Sequence, residues 1–313
     1  MKKIIINRLL TAIPVLFLMT IITFFLVNLI PGNAALVILG QDASPERIAL
    51  LSKQLKLDLP FYQQWWYWIQ GAAQGDLGTS LYSGETVTKL LSQRIMPTFL
   101  VAFLATLLGA IVGVSLGIWA AVKRGAIAKA LDTISMLGIS LPNFWISLIL
   151  IVIVAGKLQW LPPLGYIPPS EDLSEWAKHI VLPVTALGLA GIAIIAKQTR
   201  DSMSEALSRD YMRFLQANGF SRRSLVFKHA TRYAAIPIFA AMIGSFVNLF
   251  GGTVALESIF AIPGLGSMVV VATTQRDLVV IQGAVLAYTV IVILTTIIGD
   301  IFNLLLNPKL RTR

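Results

Sequence analysis

Cysteine is absent from this 313-residue chain, which excludes disulfides and thiolate metal ligation. Histidine occurs only as His179 and His229, too few for a multi-histidine metal cage within the chain. Charge is scarce: 13% of residues against about 25% in a soluble domain, while 56% are hydrophobic and the mean hydropathy is +0.78. A surface with so little charge must face lipid. No GxxxxGK(S/T) loop and no HExxH are present, which removes the P-loop route to a nucleotide and the zincin centre. Thr79-Ser80 and Ser202 have no His–Asp partners near them in sequence. Nor does any acid fall at the centre of an apolar segment, where a proton-coupled transporter usually has one. Asp132 and Asp300 lie near the ends of apolar segments, and so does Glu257. Their ordinary reading is end-anchoring and pairing with Lys or Arg.

What is present is a series of long apolar runs. A bilayer core of about 30 Å takes about 20 apolar residues as helix. Six segments qualify: Leu9–Ile30, Thr98–Val122, Ile134–Ala155, Ile180–Ala196, Ala234–Leu256 and Ile281–Leu305. The fourth is short and is interrupted by Pro183, Gly188 and Gly191. The first follows Met1-Lys2-Lys3 but is longer than a signal-peptide core of about 7–15 residues, so it reads as an uncleaved helix. With the N-terminus inside, 17 of the 25 Lys and Arg fall on the inner side and eight on the outer. That bias sets both termini in the cytoplasm. The net charge of +10 therefore reports topology, not nucleic-acid binding. The expectation is an all-α integral membrane protein, a single transmembrane domain over 1–313 with six transmembrane helices and an extracytoplasmic loop over 31–97.

Within that outer loop, Ser44-Pro45 reads as a helix start, with Ser44 as N-cap and Pro45 in the first turn. Trp65-Trp66-Tyr67-Trp68 reads as an interfacial aromatic belt; a stacking platform for substrate and a contact with a partner protein are the alternatives. Gly109, Gly113 and Gly117, spaced by four, let helices approach closely, within the chain or against a second subunit. Ser140 to Trp145 should break the third segment, and a broken helix is tolerated where it is buried in protein or lines a cavity. Pro142, Asn143 and Phe144, with Glu257, are therefore candidate pathway residues.

The polar island over 198–233 stands out against this background. Counting Lys197, it carries eight of the 25 Lys and Arg. Ser204 to Leu215 has helical character, with Met203, Leu207, Tyr211, Phe214 and Leu215 on one broad face. Gly219 permits a left-handed turn. Ser221 can cap a second helix whose apolar side is Leu225, Val226 and Ala230, leaving Arg222, Arg223, Lys228 and Arg232 for water, headgroups or a partner. A membrane-surface helix pair and a docking element for a cytoplasmic protein both fit this pattern.

The island resembles the cytoplasmic coupling loop of ABC-importer permeases of the dipeptide, oligopeptide and nickel branch. Tyr211, Arg213, Ala217 and Gly219 stand in that branch's Tyr-x-Arg-x-x-x-Ala-x-Gly, and Arg222, Arg223 and His229 follow in register. Gly251-Gly252 with Glu257, then Pro263-Gly264-Leu265-Gly266, resembles the branch's outer-loop signature; Arg276-Asp277 and Gln282-Gly283 come next. Arg8 through Pro31-Gly32, Gly75 to Ser80, Leu161 to Gly165 and Leu306 to Arg311 match as well, so the resemblance spans the chain. Two places depart: Arg213-Phe214-Leu215 where small residues are usual, and Tyr233 where Asn is common. The resemblance implies a type I importer fold in the bacterial inner membrane and a cargo of short peptides or nickel or metal chelates. It also implies a second homologous permease, two cytoplasmic ATPase subunits that bind ATP and Mg, and an extracytoplasmic substrate-binding protein. On this reading the chain is no enzyme, holds no metal or cofactor, and supplies half the pathway. A self-sufficient secondary transporter is the alternative.

Overall fold

A computed structural model of the chain describes residues 2–29, 34–40, 43–123 and 125–306. Among these residues the fold is helical, with one isolated antiparallel bridge between Thr79 and Thr86. The helices are α1 (Lys2–Asn28), α2 (Ala34–Leu39), α3 (Pro45–Gln54), α4 (Phe61–Ala73) and α5 (Val87–Leu108). A π-helical turn joins α5 to α6 (Val114–Lys123); α7 (Ala126–Ser140) and α8 (Asn143–Leu150) follow, the latter with a π-helical tail to Lys157. Next come α9 (Leu173–Ser208), α10 (Asp210–Ala217) and α11 (Arg222–Ser224), which runs through a π-helical stretch into α12 (Thr231–Phe260). The chain finishes with α13 (Leu265–Gln275) and α14 (Leu278–Leu306). The family-like stretches at Pro31-Gly32 and Asn307 to Arg311 lie outside the described residues.

Five runs are long and apolar enough to cross a membrane: Leu10–Asn28, Val87–Lys123, Leu173–Ser208, Arg222–Phe260 and Leu278–Leu305. The segment expected over Ile134–Ala155 is not one continuous helix. It breaks between α7 and α8, where Pro142 takes φ −63° and ψ 132°. Proline supplies no backbone N–H and pushes the residue before it out of the helical region.

The chain folds as two compact units, one built from Thr98–Ile262 with the segment after Thr295, the other from Lys2–Pro97 with Pro263–Leu294. The first is organised around α9, at 36 residues the longest helix described. Asp172 caps it, its carboxylate accepting from the backbone N–H groups of Ser174 and Glu175 at 2.8 and 3.0 Å. Pro183, Gly188 and Gly191, which weaken this segment as a sequence, are buried in its packed face. A Cβ placed on Gly109 would meet the Gly191 carbonyl carbon at 3.0 Å; one on Gly117 would meet Thr199 Cβ at 2.5 Å. The glycine stripe is thus used inside one chain, bringing α6 and the π-helical turn onto α9. In lipid, apolar burial by itself drives little association, so such close backbone approach carries much of the packing. Around it lie Leu187, Leu249, Leu256 and Phe260, all fully or nearly buried.

In the second unit, α4 lies on α1. The Trp65 indole N–H donates to Thr20 Oγ1 at 3.2 Å, and its ring meets Phe17 edge-on at 5.1 Å. Trp68 donates to the Leu77 carbonyl, while Trp66 and Tyr67 stay exposed. The run Trp65–Trp68 is therefore split between internal packing and open surface. Ser44 caps α3 as expected, accepting from the Arg47 N–H at 3.4 Å. Two family-like stretches meet here: the Ser80 hydroxyl donates to the buried Asp277 carboxylate, which also receives the backbone N–H of Val280. Asp277 thus caps the start of α14 and pins the 80–83 turn.

Candidate functional site

The polar island joins α9 to α12 within the first unit. Helix α9 does not run on to Leu215. It stops at Arg209, whose backbone is extended at φ −70° and ψ 148°, and α10 restarts at Asp210. One extended residue resets the helical phase, so the expected single face is corrected. Met203 and Met212 occupy the core, and Leu207 and Leu215 pack beside them. Tyr211 and Phe214 turn outward, 41% and 68% exposed. The bulky Phe214 therefore does not disturb α10's packing; it stands as a knob on the surface.

The rest of the turn follows local chemistry. Gly219 adopts φ +83°, and the Phe220 N–H donates to the Leu215 carbonyl at 3.2 Å, the six-to-one bond of a Schellman end. Ser221 accepts from the Ser224 N–H at 3.3 Å and starts the second helix, which buries Leu225, Val226 and Ala230. His229 meets the Phe220 ring edge-on at 5.5 Å. Arg222 donates to the Val122 carbonyl at 3.2 Å, satisfying an open acceptor in the last turn of α6.

The candidate residues separate onto two sides. Arg213, Phe220 and Arg222 line a cleft of about 420 Å³ floored by Met212 and Leu225. Tyr211 and His229 line a second, of about 660 Å³, with Glu205, Arg232 and Tyr233. Ala217, Gly219 and Arg223 are exposed, and Phe227 adds another aromatic side chain, 63% exposed. The surface is thus a set of aromatic knobs among cations.

Sequence reasoning missed the cluster that sets the break at Arg209. Arg209 pairs with Glu205 at 2.7 Å and lies over the Tyr233 ring, 4.2 Å from its centroid, also donating to the Tyr233 hydroxyl. Tyr233 in turn donates to Glu205 at 2.8 Å. The bond to Glu205 raises the Arg209 guanidinium above its ordinary pKa. Tyr233, a departure from the family pattern, is what lets the end of α9 grip the start of α12. An Arg200–Asp132 ion pair ties α9 to α7, the end-of-helix pairing expected of Asp132.

Of the pathway candidates, Asn143 lies against α12: its Nδ2 is 3.5 Å from where a Cβ on Gly252 would stand. Pro142 and Phe144 are exposed at the break. Glu257 is fully buried and accepts from the Thr98 hydroxyl at 2.6 Å. Gly251 and Gly252 sit within α12, and Pro263 and Gly264 form the connection into α13, which buries Gly266. Among the described residues, no three His, Asp or Glu stand together as a metal site.

Comparison with known proteins agrees with this architecture. Residues 109–312 match the family described as the binding-protein-dependent transport system inner membrane component, and residues 1–102 match its N-terminal companion. The chain belongs to this family. It is 37% identical over 308 residues to the probable peptide ABC transporter permease protein y4tP of Sinorhizobium fredii, covering 98% of both chains. It is 37% identical over 312 residues to the glutathione transport system permease protein GsiC of Escherichia coli K12, covering 99% of both. A chain of the MetNI methionine ABC transporter shares the fold at a TM-score of 0.55 and 17% identity, over 70% of this chain and 97% of that one. The protein is a multi-pass permease component of a binding-protein-dependent ABC importer, a transport subunit and not an enzyme. The secondary-transporter alternative gives way to this family.

Proposed function

We propose that this chain forms half of an inner-membrane pathway for short peptides, with six crossings and both termini in the cytoplasm. The broken α7–α8 pair supplies the crossing that no single helix provides. A second homologous permease supplies the other half. Two ATPase subunits bind ATP and Mg, and an extracytoplasmic binding protein delivers the cargo. Residues 198–233 dock on an ATPase subunit: Arg213, Ala217, Gly219, Arg222 and Arg223, with Tyr211 and His229 behind them, transmit its closure to α9 and α12. Pro142, Asn143, Phe144 and Glu257 border the pathway.

The observation that carries the docking reading is the exposed Phe214 and Phe227, near Arg213 and Arg223 in sequence, on a turn closed by a backbone hydrogen bond at Gly219. A headgroup-binding helix pair would direct such aromatics into one apolar face. The peptide cargo rests on the relatives' names, which favour peptides over nickel. Purification of the tagged chain from native membranes tests the reading. A second permease and ATPase subunits should copurify, and the reconstituted complex should take up a labelled di- or tripeptide only with ATP and its binding protein. Uptake by the chain alone would overturn it.

A further inference from the structure

The coupling reading makes no use of α4, whose place against α1 is unusual for a loop helix. The apolar run Leu10–Asn28 of α1 has 19 residues, about 28 Å at the helical rise. The whole run is therefore needed to cross a bilayer core of about 30 Å. Helix α4 packs within that run. Phe61 meets Phe25 edge-on at 6.2 Å, and Trp65 reaches Phe17 and Thr20. These three α1 residues lie three, eleven and eight positions before Asn28, hence about 5, 17 and 12 Å along the axis from that end. The contact is at acyl-chain depth, where a soluble partner does not reach.

Composition and hydrogen bonding agree with that depth. Residues 61–73 contain no Asp, Glu, Lys or Arg, whereas α3 exposes Glu46, Arg47 and Lys53. Non-helical backbone at membrane depth needs its polar groups satisfied by protein. Gln64 donates to the carbonyls of Leu57 and Leu59 at 3.3 and 2.8 Å, and the Trp68 indole donates to that of Leu77. What α4 leaves open is aromatic: Tyr62, Trp66 and Tyr67 are each more than half exposed, and Tyr and Trp suit the boundary between acyl chains and headgroups. The Lys56 ammonium sits over the Tyr67 ring, 4.3 Å from its centroid, on a stem long enough to reach phosphate level. We propose that α4 is seated in the phospholipid leaflet at the Asn28 end of α1, the outer one in the orientation proposed above, with Tyr62, Trp66 and Tyr67 against lipid. The helix is then a membrane-interface anchor, and not part of the loop surface open to a binding protein. The inference rests on α1 crossing the bilayer and not on how the island docks.

The chain has no cysteine, so a single introduced thiol can carry a nitroxide in the full chain, purified with its copurifying subunits and placed in phospholipid nanodiscs. Collisions of the nitroxide with oxygen, which dissolves in lipid, and with a nickel chelate, which stays in water, are compared at four positions. Tyr62→Cys and Trp66→Cys probe α4. Leu18→Cys, at an exposed site on α1, is the lipid reference, and Glu46→Cys on α3 is the water reference. Each variant is first checked for a monodisperse elution profile. The oxygen-to-nickel ratio at 62 and 66 should match that at 18 and exceed that at 46 several-fold. A ratio like that at 46 would overturn the proposal, because α4 then faces water. So would a label screened from both reagents, which means that protein covers α4. If one α4 variant does not fold, the other decides alone. Water exposure at 18 would remove the crossing of α1, and the proposal with it, while the island's docking on an ATPase stands.

Discussion

At the scale of single residues, the parts of this chain that obey local rules were legible in the sequence. Ser44, Gly219 and Ser221 each do in the structure what their chemistry allows at a helix end. Residues whose conformation is imposed by distant partners were not. Nothing around Arg209 is a breaker in sequence; its extended backbone answers to Glu205 and to Tyr233, 24 positions away. Tyr233→Phe removes both hydrogen bonds of the Tyr233 hydroxyl, from Arg209 and to Glu205, and Arg209→Ala removes all of Arg209's part. ATP-driven uptake should fall a few-fold in the first and further in the second. Membrane insertion should be unaltered. Full uptake by Arg209→Ala would remove the cluster from the coupling route. Ala261 ends α12 in the left-handed region at φ 53°, which a Cβ makes unfavourable. Ala261→Gly removes a left-handed Cβ penalty of about 1–2 kcal/mol against a smaller entropy cost of about 0.4–1 kcal/mol for the freer unfolded chain, so a higher thermal midpoint in detergent is expected; a lower midpoint would show that the alanine methyl is itself packed.

Elements were legible where one residue type decides. Pro142 broke the third segment as its geometry requires, and the five long apolar runs were read from length alone. The fourth segment was undervalued because its glycines and proline look like weaknesses when only helix propensity is considered. In three dimensions they are where neighbouring helices come close. The π-helical turns within the α5–α6 and α11–α12 runs carry no sequence sign, since an inserted residue in a helix leaves composition unchanged. The same geometry predicts a contrast between two glycines. Gly117→Leu would press on Thr199 and the Ala196 carbonyl and should cost well over the 1–3 kcal/mol typical of overpacking, with little folded protein recovered. Gly251 has no neighbour within 4 Å of an added Cβ, so Gly251→Ala should be neutral or slightly stabilising in stability. Similar yields and thermal midpoints for the two variants would contradict the close α6–α9 approach.

For the whole molecule, composition revealed the solvent and the family pattern revealed the machine. The second unit's internal ties, such as Ser80 to Asp277, explain stretches that the sequence marked without giving a reason. The absence of cysteine now becomes an experimental advantage, because a single introduced thiol is the only one in the chain. Phe214, two-thirds exposed on α10, is the position to use. With Phe214→Cys carrying a photoactivatable maleimide in native membranes, the docking reading predicts a cross-link to an ATPase subunit, with a yield that changes when ATP is added. Cross-linking to lipid alone, unaffected by ATP, would contradict it and leave the island as a membrane-surface helix pair.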